Sequence, residues 1–141
     1  MKTTLLISII ISLVLFSCNS NVDADKITGN WKITSFKANI PELNPEIIKL
    51  GEEEALSTNY LFRKDHSFQM ISAIFPKGIK GKWEIDQQQN MLTLTAENSE
   101  NTKPQIQKII YLDSQNMQWE QTLEGLGTIR MALERTTIAK Q

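Results

Sequence analysis

Few side chains in this sequence can do chemistry, and their spacing assembles none of the common catalytic devices. A nucleophilic triad needs a histidine held beside a serine. The one histidine, His66, follows Asp65 in a connection of hairpin length between two apolar runs, which places it in an exposed turn. Zinc needs a cysteine pair or a histidine cluster, and the chain has one of each residue. Gly125-Leu126-Gly127 joins two strand-like segments instead of opening a helix, so it does not spell a phosphate-binding loop. Glu52-Glu53-Glu54 offers carboxylates to a calcium ion, yet consecutive helical residues point in different directions, and a solvated helix face accounts for the run. Lys77, Lys80 and Lys82 could touch acidic glycans or lipid headgroups; a solvated outer strand face explains them as well. The expectation is a protein without catalysis, metal or cofactor.

The remaining reactive group, Cys18, ends an N-terminal block of special composition. Leu5 to Phe16 is apolar except for Ser8 and Ser12 and follows a basic start at Lys2, the pattern of a secretory signal. Its 12 residues rise about 18 Å as a helix, short of the roughly 30 Å core that a spanning helix crosses. Leu15-Phe16-Ser17-Cys18 resembles the lipobox of bacterial lipoproteins, in which the cysteine becomes the first residue and carries the lipid. Phe16 is bulkier than the usual residue there. As the only cysteine of an exported chain, Cys18 has no disulfide partner, and lipidation gives it a purpose. The resemblance implies membrane attachment in the bacterial envelope, and Asn19 in place of an aspartate after the cysteine points to the outer membrane. The expected organisation is a signal peptide over 1–17, a lipidated flexible tether over 18–26, and one domain over 27–141.

Removal of residues 1–17 leaves 14 basic and 16 acidic side chains, which excludes a strongly basic nucleic-acid surface. From Ile27 onward the dominant period is two, so strands are expected. In Ile27 to Ile33, Gly29, Trp31 and Ile33 share a face. Further strands follow over 60–64, 67–72, 79–86, 91–96, 105–112, 116–122 and 127–135. Asn44-Pro45 offers an N-cap and a first-turn proline for a helix running to about Leu56, placed to cap a barrel mouth through Ile47, Ile48, Leu50 and Leu56. Asn98 to Thr102 reads as a polar, mobile loop. Eight closely spaced strands with short turns predict an all-β antiparallel up-and-down barrel, because closure removes the exposed edges.

Gly29-Asn30-Trp31 in the first strand resembles the G-x-W motif of lipocalins. Tyr60 to Phe68, followed by Gly81-Lys82-Trp83 and the ending Met131-Ala132-Leu133-Glu134-Arg135, resembles the lipocalin-like lipoproteins common in Bacteroidota. The T-D-Y motif of secreted lipocalins is absent, and His66 stands where the lipoprotein group usually has glycine in the turn. The resemblance implies that Trp31 plugs the closed end of the barrel with Arg135 packed across its ring.

Phe62, Phe68, Met70, Trp83, Leu92, Leu94 and Met117 fall on the expected inner faces. They are expected to line a site for a small, mostly apolar molecule, which is the function expected of the barrel; core packing explains the same residues, since an eight-stranded barrel either fills or holds one small ligand. The same alternatives apply to Trp119. A continuous apolar cavity of roughly 300 Å³ or more would suit a ligand carrier. A filled interior would suit a protein–protein module, such as an envelope inhibitor or assembly accessory. The chain is expected to be monomeric, tethered to the membrane through Cys18, and without nucleic-acid partners.

Overall fold

Alternating apolar and polar residues build eight strands that close on themselves. The computed structural model describes residues 22–97 and 103–137. The stretch expected to be a signal peptide, Cys18 and the loop Asn98 to Thr102 lie outside the described residues. The strands are β1 (Gly29–Asn39), β2 (Asn59–Phe62), β3 (Ser67–Ile71), β4 (Ile79–Asp86), β5 (Met91–Ala96), β6 (Gln105–Leu112), β7 (Asn116–Leu123) and β8 (Gly127–Arg135). Each pairs antiparallel with the next, and β8 returns to β1, giving the closed up-and-down barrel expected. Among the described residues two helices accompany them, α1 (Ala24–Ile27) before β1 and α2 (Pro45–Leu56) between β1 and β2.

β1 runs six residues beyond the stretch expected from alternation, and its register explains why. Ile33 pairs with Leu133 and Ser35 with Ala132, so a bulge lies between them. The bulge shifts the phase: Trp31 and Ile33 are buried before it, Phe36 and Ala38 half-buried after it. Gly81 belongs to the strand interior for a different reason. A Cβ there would run into the Thr95 carbonyl oxygen and lie 2.6 Å from Phe68 Cε1. Only glycine lets the neighbouring strand and the phenyl ring approach so closely.

The helices depart from expectation. Asn44 caps α2 as read, its Oδ1 accepting from the Glu46 N–H at 2.8 Å. Three of the four large residues expected to cap the barrel do not, however: Ile47, Leu50 and Leu56 are exposed, Ile48 is half-buried, and only Ala55 of the helix is buried. Its small residues make the contact instead, with Phe36 of β1 within 3.7 Å of a Cβ built on Gly51. Small side chains let the helix lie close, turning Ile47 and Leu50 to solvent. The stretch read as tether also holds part of the folded domain. Asp23 caps the single turn of α1, and Val22 and Ile27 are both buried.

The two ends of the barrel therefore differ. The α1 end carries α1 and the β2–β3, β4–β5 and β6–β7 turns. The α2 end carries α2 and the β3–β4, β5–β6 and β7–β8 connections.

Candidate functional site

At the α1 end, Trp31 is fully buried and its indole Nε1 donates to the Ile27 carbonyl at 2.7 Å. Arg135, its partner across the β1–β8 seam, lies over the ring with Cζ 4.4 Å from the centroid. Its guanidinium donates to the carbonyls of Ser114, Thr28 and Lys26 at 2.6, 2.6 and 2.7 Å. One planar fork thus ties the N-terminal turn to the β6–β7 turn while its face covers the indole. This end is closed.

The β2–β3 turn folds over the second tryptophan. His66 adopts φ 63°, in the left-handed region, and its ring stacks on Trp83 with centroids 4.4 Å apart. Trp83 Nε1 donates to the Arg63 carbonyl at 3.1 Å. His66 is exposed and held in a turn; its Nδ1 lies 3.2 Å from the Trp83 carbonyl oxygen, and the neighbouring Ser67 hydroxyl donates to Asp65 Oδ1 at 2.6 Å. Among the described residues, no group of three or more histidine, cysteine, aspartate or glutamate side chains is placed to hold a metal ion.

The interior decides what the barrel can hold. Phe62, Phe68, Trp83, Leu92, Leu94 and Met117 are all buried, and Met70 is half-buried. They share one cluster with Trp31, Ile33, Tyr60, Ile109, Trp119 and Leu133. An aromatic chain fills its middle. Tyr60 stacks on Phe62 at 5.6 Å and meets Trp119 edge-on at 5.4 Å, and Phe62 meets Trp83 edge-on at 6.0 Å. Side chains occupy the place an enclosed ligand would take.

The expected lining residues accordingly divide. Phe62, Trp83, Leu92 and Met117 pack against other side chains. Phe68, Met70 and Leu94 join Tyr60, Ile79, Ala96, Lys103 and Gln105 around a pocket of about 90 Å³ opening at the α2 end. Tyr60 has the parity of Phe62, two residues on, so period two could have placed it in this site. Ile79 and Lys103 come from chain segments that no local pattern connects to Phe68. Burial in the cluster pushes the Tyr60 phenol up to about 12.

Exposed apolar side chains lie at the same end of the barrel. The β3–β4 connection hangs on the last turn of α2: the Ala73 N–H donates to Ser57 Oγ at 3.0 Å and the Ile74 N–H to Glu54 Oε2 at 3.3 Å. Ile74 and Phe75 are thereby held at the C-terminal turn of α2, and together with Leu50 of that helix they are exposed.

No protein-family model matches this chain, and no curated protein does. Among solved structures it is similar to a DUF4847 family protein from Bacteroides vulgatus ATCC 8482, with a TM-score of 0.47 and 14% sequence identity, over 74% of this chain and 91% of that one. A likeness of that size assigns no activity. Among the described residues, no helix is long and apolar enough to cross a membrane.

Proposed function

We propose that the protein is a lipocalin-like module of the bacterial envelope, anchored in the outer membrane through lipidated Cys18, that binds a partner protein at its α2 end. The observation that carries this reading is the division of the barrel into a packed interior and a small open pocket. At about 90 Å³, the pocket between Tyr60, Phe68, Met70, Ile79 and Leu94 suits one apolar side chain. It is too small for a fatty acid, whose site belongs in the range of a few hundred Å³. Leu50, Ile74 and Phe75 add exposed apolar surface at the same end of the barrel, which would serve as a contact rim around an anchor pocket. Lys103 at the pocket edge favours a partner with an acidic group next to the anchoring side chain. The signal-like N-terminus and Leu15-Phe16-Ser17-Cys18 support export and lipidation.

A second reading, a small apolar molecule in the same pocket, is favoured by the apolar lining itself and is limited by volume to a few heavy atoms. Site-specific photo-crosslinking in cells separates the two. A crosslinker at Phe75 is expected to give one discrete protein adduct that an equivalent crosslinker at Lys64, on the α1 end, does not. Absence of such an adduct, together with a stoichiometric small molecule in native mass spectra, would move the function to the second reading. Absence of both would overturn binding at this end altogether.

A further inference from the structure

We infer that the corner of the α1 end formed by Ile110 and Tyr111 rests in the headgroup layer of the bilayer that carries the Cys18 lipid. The inference rests on the lipid anchor of the proposed function and adds the face the barrel turns to the membrane. Reach comes first. Val22 is buried at the α1 end, where its N–H donates to Asn90 Oδ1 at 3.3 Å. The Asn90 carbonyl accepts in turn from the Ile109 N–H at 2.8 Å, so the chain leaves the barrel beside β6. Four peptide steps from Val22 to Cys18 span at most about 14 Å even when fully extended. The lipid therefore holds this corner close to the surface, while the α2 end stands about 20 to 25 Å farther out along strands of eight or nine residues.

The surface at that corner has interfacial chemistry. β6 pairs Ile109 with Trp119 and Tyr111 with Gln118, leaving Ile110 as the extra residue of a bulge. Ile109 stays in the core, and the bulge turns Ile110 and Tyr111 outward in succession, 45% and 49% exposed. The Tyr111 hydroxyl donates to Asp113 Oδ2 at 2.6 Å. An aliphatic side chain beside a phenol whose polar end is held at the rim suits the boundary between headgroups and acyl chains. A groove of about 260 Å³ separates this pair from Val22, Asp23 and Lys26. Lys26 and Asp23 line that groove together, Arg135 donates to the Lys26 carbonyl and Asp113 accepts from Tyr111, so cations and carboxylates offset one another and the contact does not depend on anionic lipid.

The lone native cysteine makes the test direct, because lipidation occupies its sulfur and leaves an introduced cysteine as the single labelling site. Full-length lipidated protein with Ile110→Cys or Ile74→Cys is labelled with an environment-sensitive fluorophore. It is then placed in vesicles of phosphatidylethanolamine and phosphatidylglycerol containing a headgroup nitroxide lipid. The expected result is quenching and a blue-shifted emission at position 110 and neither at 74, unchanged by added salt or by omission of phosphatidylglycerol. Equal quenching at both positions, quenching at 74 alone, or quenching lost in salt overturns the inference. The mass of the labelled protein separates the causes. An intact Cys18 lipid with position 110 unquenched refutes only the orientation, whereas a lipid-free Cys18 carrying a second fluorophore refutes the anchor and the orientation with it.

Discussion

Trp31 and Arg135 are direct partners across the seam that closes the barrel, with the guanidinium carbon 4.4 Å above the indole. Closure and plugging are therefore one interaction. The last strand delivers its final side chain onto the first, and the same side chain collects the carbonyls of Lys26, Thr28 and Ser114. Truncation by Arg135→Ala is expected to destabilise the fold by about 1 to 3 kcal/mol, through the lost stack and the part-buried Thr28 carbonyl, since water can replace the two exposed hydrogen bonds. Arg135→Lys keeps the charge and loses the fork, so most of that cost should remain. Trp31→Ala is expected to cost about 3 to 5 kcal/mol. Urea midpoints read all three; an Arg135→Ala midpoint equal to the parent's would show that the stack contributes nothing to stability.

Gly29 is coupled to the same pair. Its φ is +133°, and a Cβ on it would run into Arg135 Nη1. Gly29→Ala should displace the guanidinium and impose backbone strain, each of which lowers the urea midpoint. Because both substitutions remove one interaction, Gly29→Ala with Arg135→Ala should cost less than the two single effects added. Strict additivity would mean that the glycine serves only its own backbone.

Gly81→Ala meets an obstacle that cannot swing aside. The Thr95 carbonyl and Ala96 Cα belong to the neighbouring strand, so relief requires parting β4 from β5. A loss of about 1 to 3 kcal/mol or more is expected. Faster amide exchange at the Lys82–Thr95 pair would locate it.

The strands and α2 were legible because local rules govern them. Period two marked β4 and β5 residue for residue, and Asn44-Pro45 announced the start of α2. The second half of β1 was hidden by its bulge: one inserted residue reverses the parity that alternation reads, and Phe36 falls out of step with Trp31 and Ile33. α1 escaped for lack of length, since one turn held by Asp23 and the burial of Ile27 has no periodicity to detect. Inward parity placed Phe62, Phe68, Trp83 and Leu94 among the buried residues but could not say whether they face a cavity. That depends on volume summed across the barrel, and the stacking of Tyr60 on Phe62 and its edge contact with Trp119 decide it. The apolar residues of α2 were misplaced because an amphipathic pattern assumes that the large side chains face inward. Gly51 and Ala55 make the close contact here instead.

Asp113 organises the β6–β7 turn as an anion. The Tyr111 hydroxyl, and then the N–H groups of Gln115 and Asn116, hold its carboxyl down at about 2, against an ordinary 3.8. The unfolded chain takes up the proton first as pH falls. The contribution of this carboxylate is therefore complete above about pH 4 and lost as pH drops toward 2. Carboxyl NMR titration of Tyr111→Phe should show the Asp113 midpoint moving up toward its ordinary value. An unmoved midpoint would assign the whole shift to the Gln115 and Asn116 donors.

Tyr60 gives the opposite dependence at the alkaline end. Its phenol lies in the apolar cluster, and burial alone raises it from 10 to about 12, because a phenolate there would be stripped of water. Unfolding frees the ring to ionise at its ordinary value. Between about pH 10 and 12 the unfolded chain thus binds fewer protons than the folded one, and stability falls as pH rises across that window. The chain has two tyrosines, so Tyr111→Phe leaves Tyr60 as the only source of phenolate absorbance. In that variant the absorbance midpoint should lie near 12 and coincide with loss of the folded signal, and the further change Tyr60→Phe should flatten the alkaline fall in urea midpoint. A phenolate midpoint at 10 in protein that remains folded would mean that water reaches the hydroxyl through the pocket, and that the floor of the pocket is open.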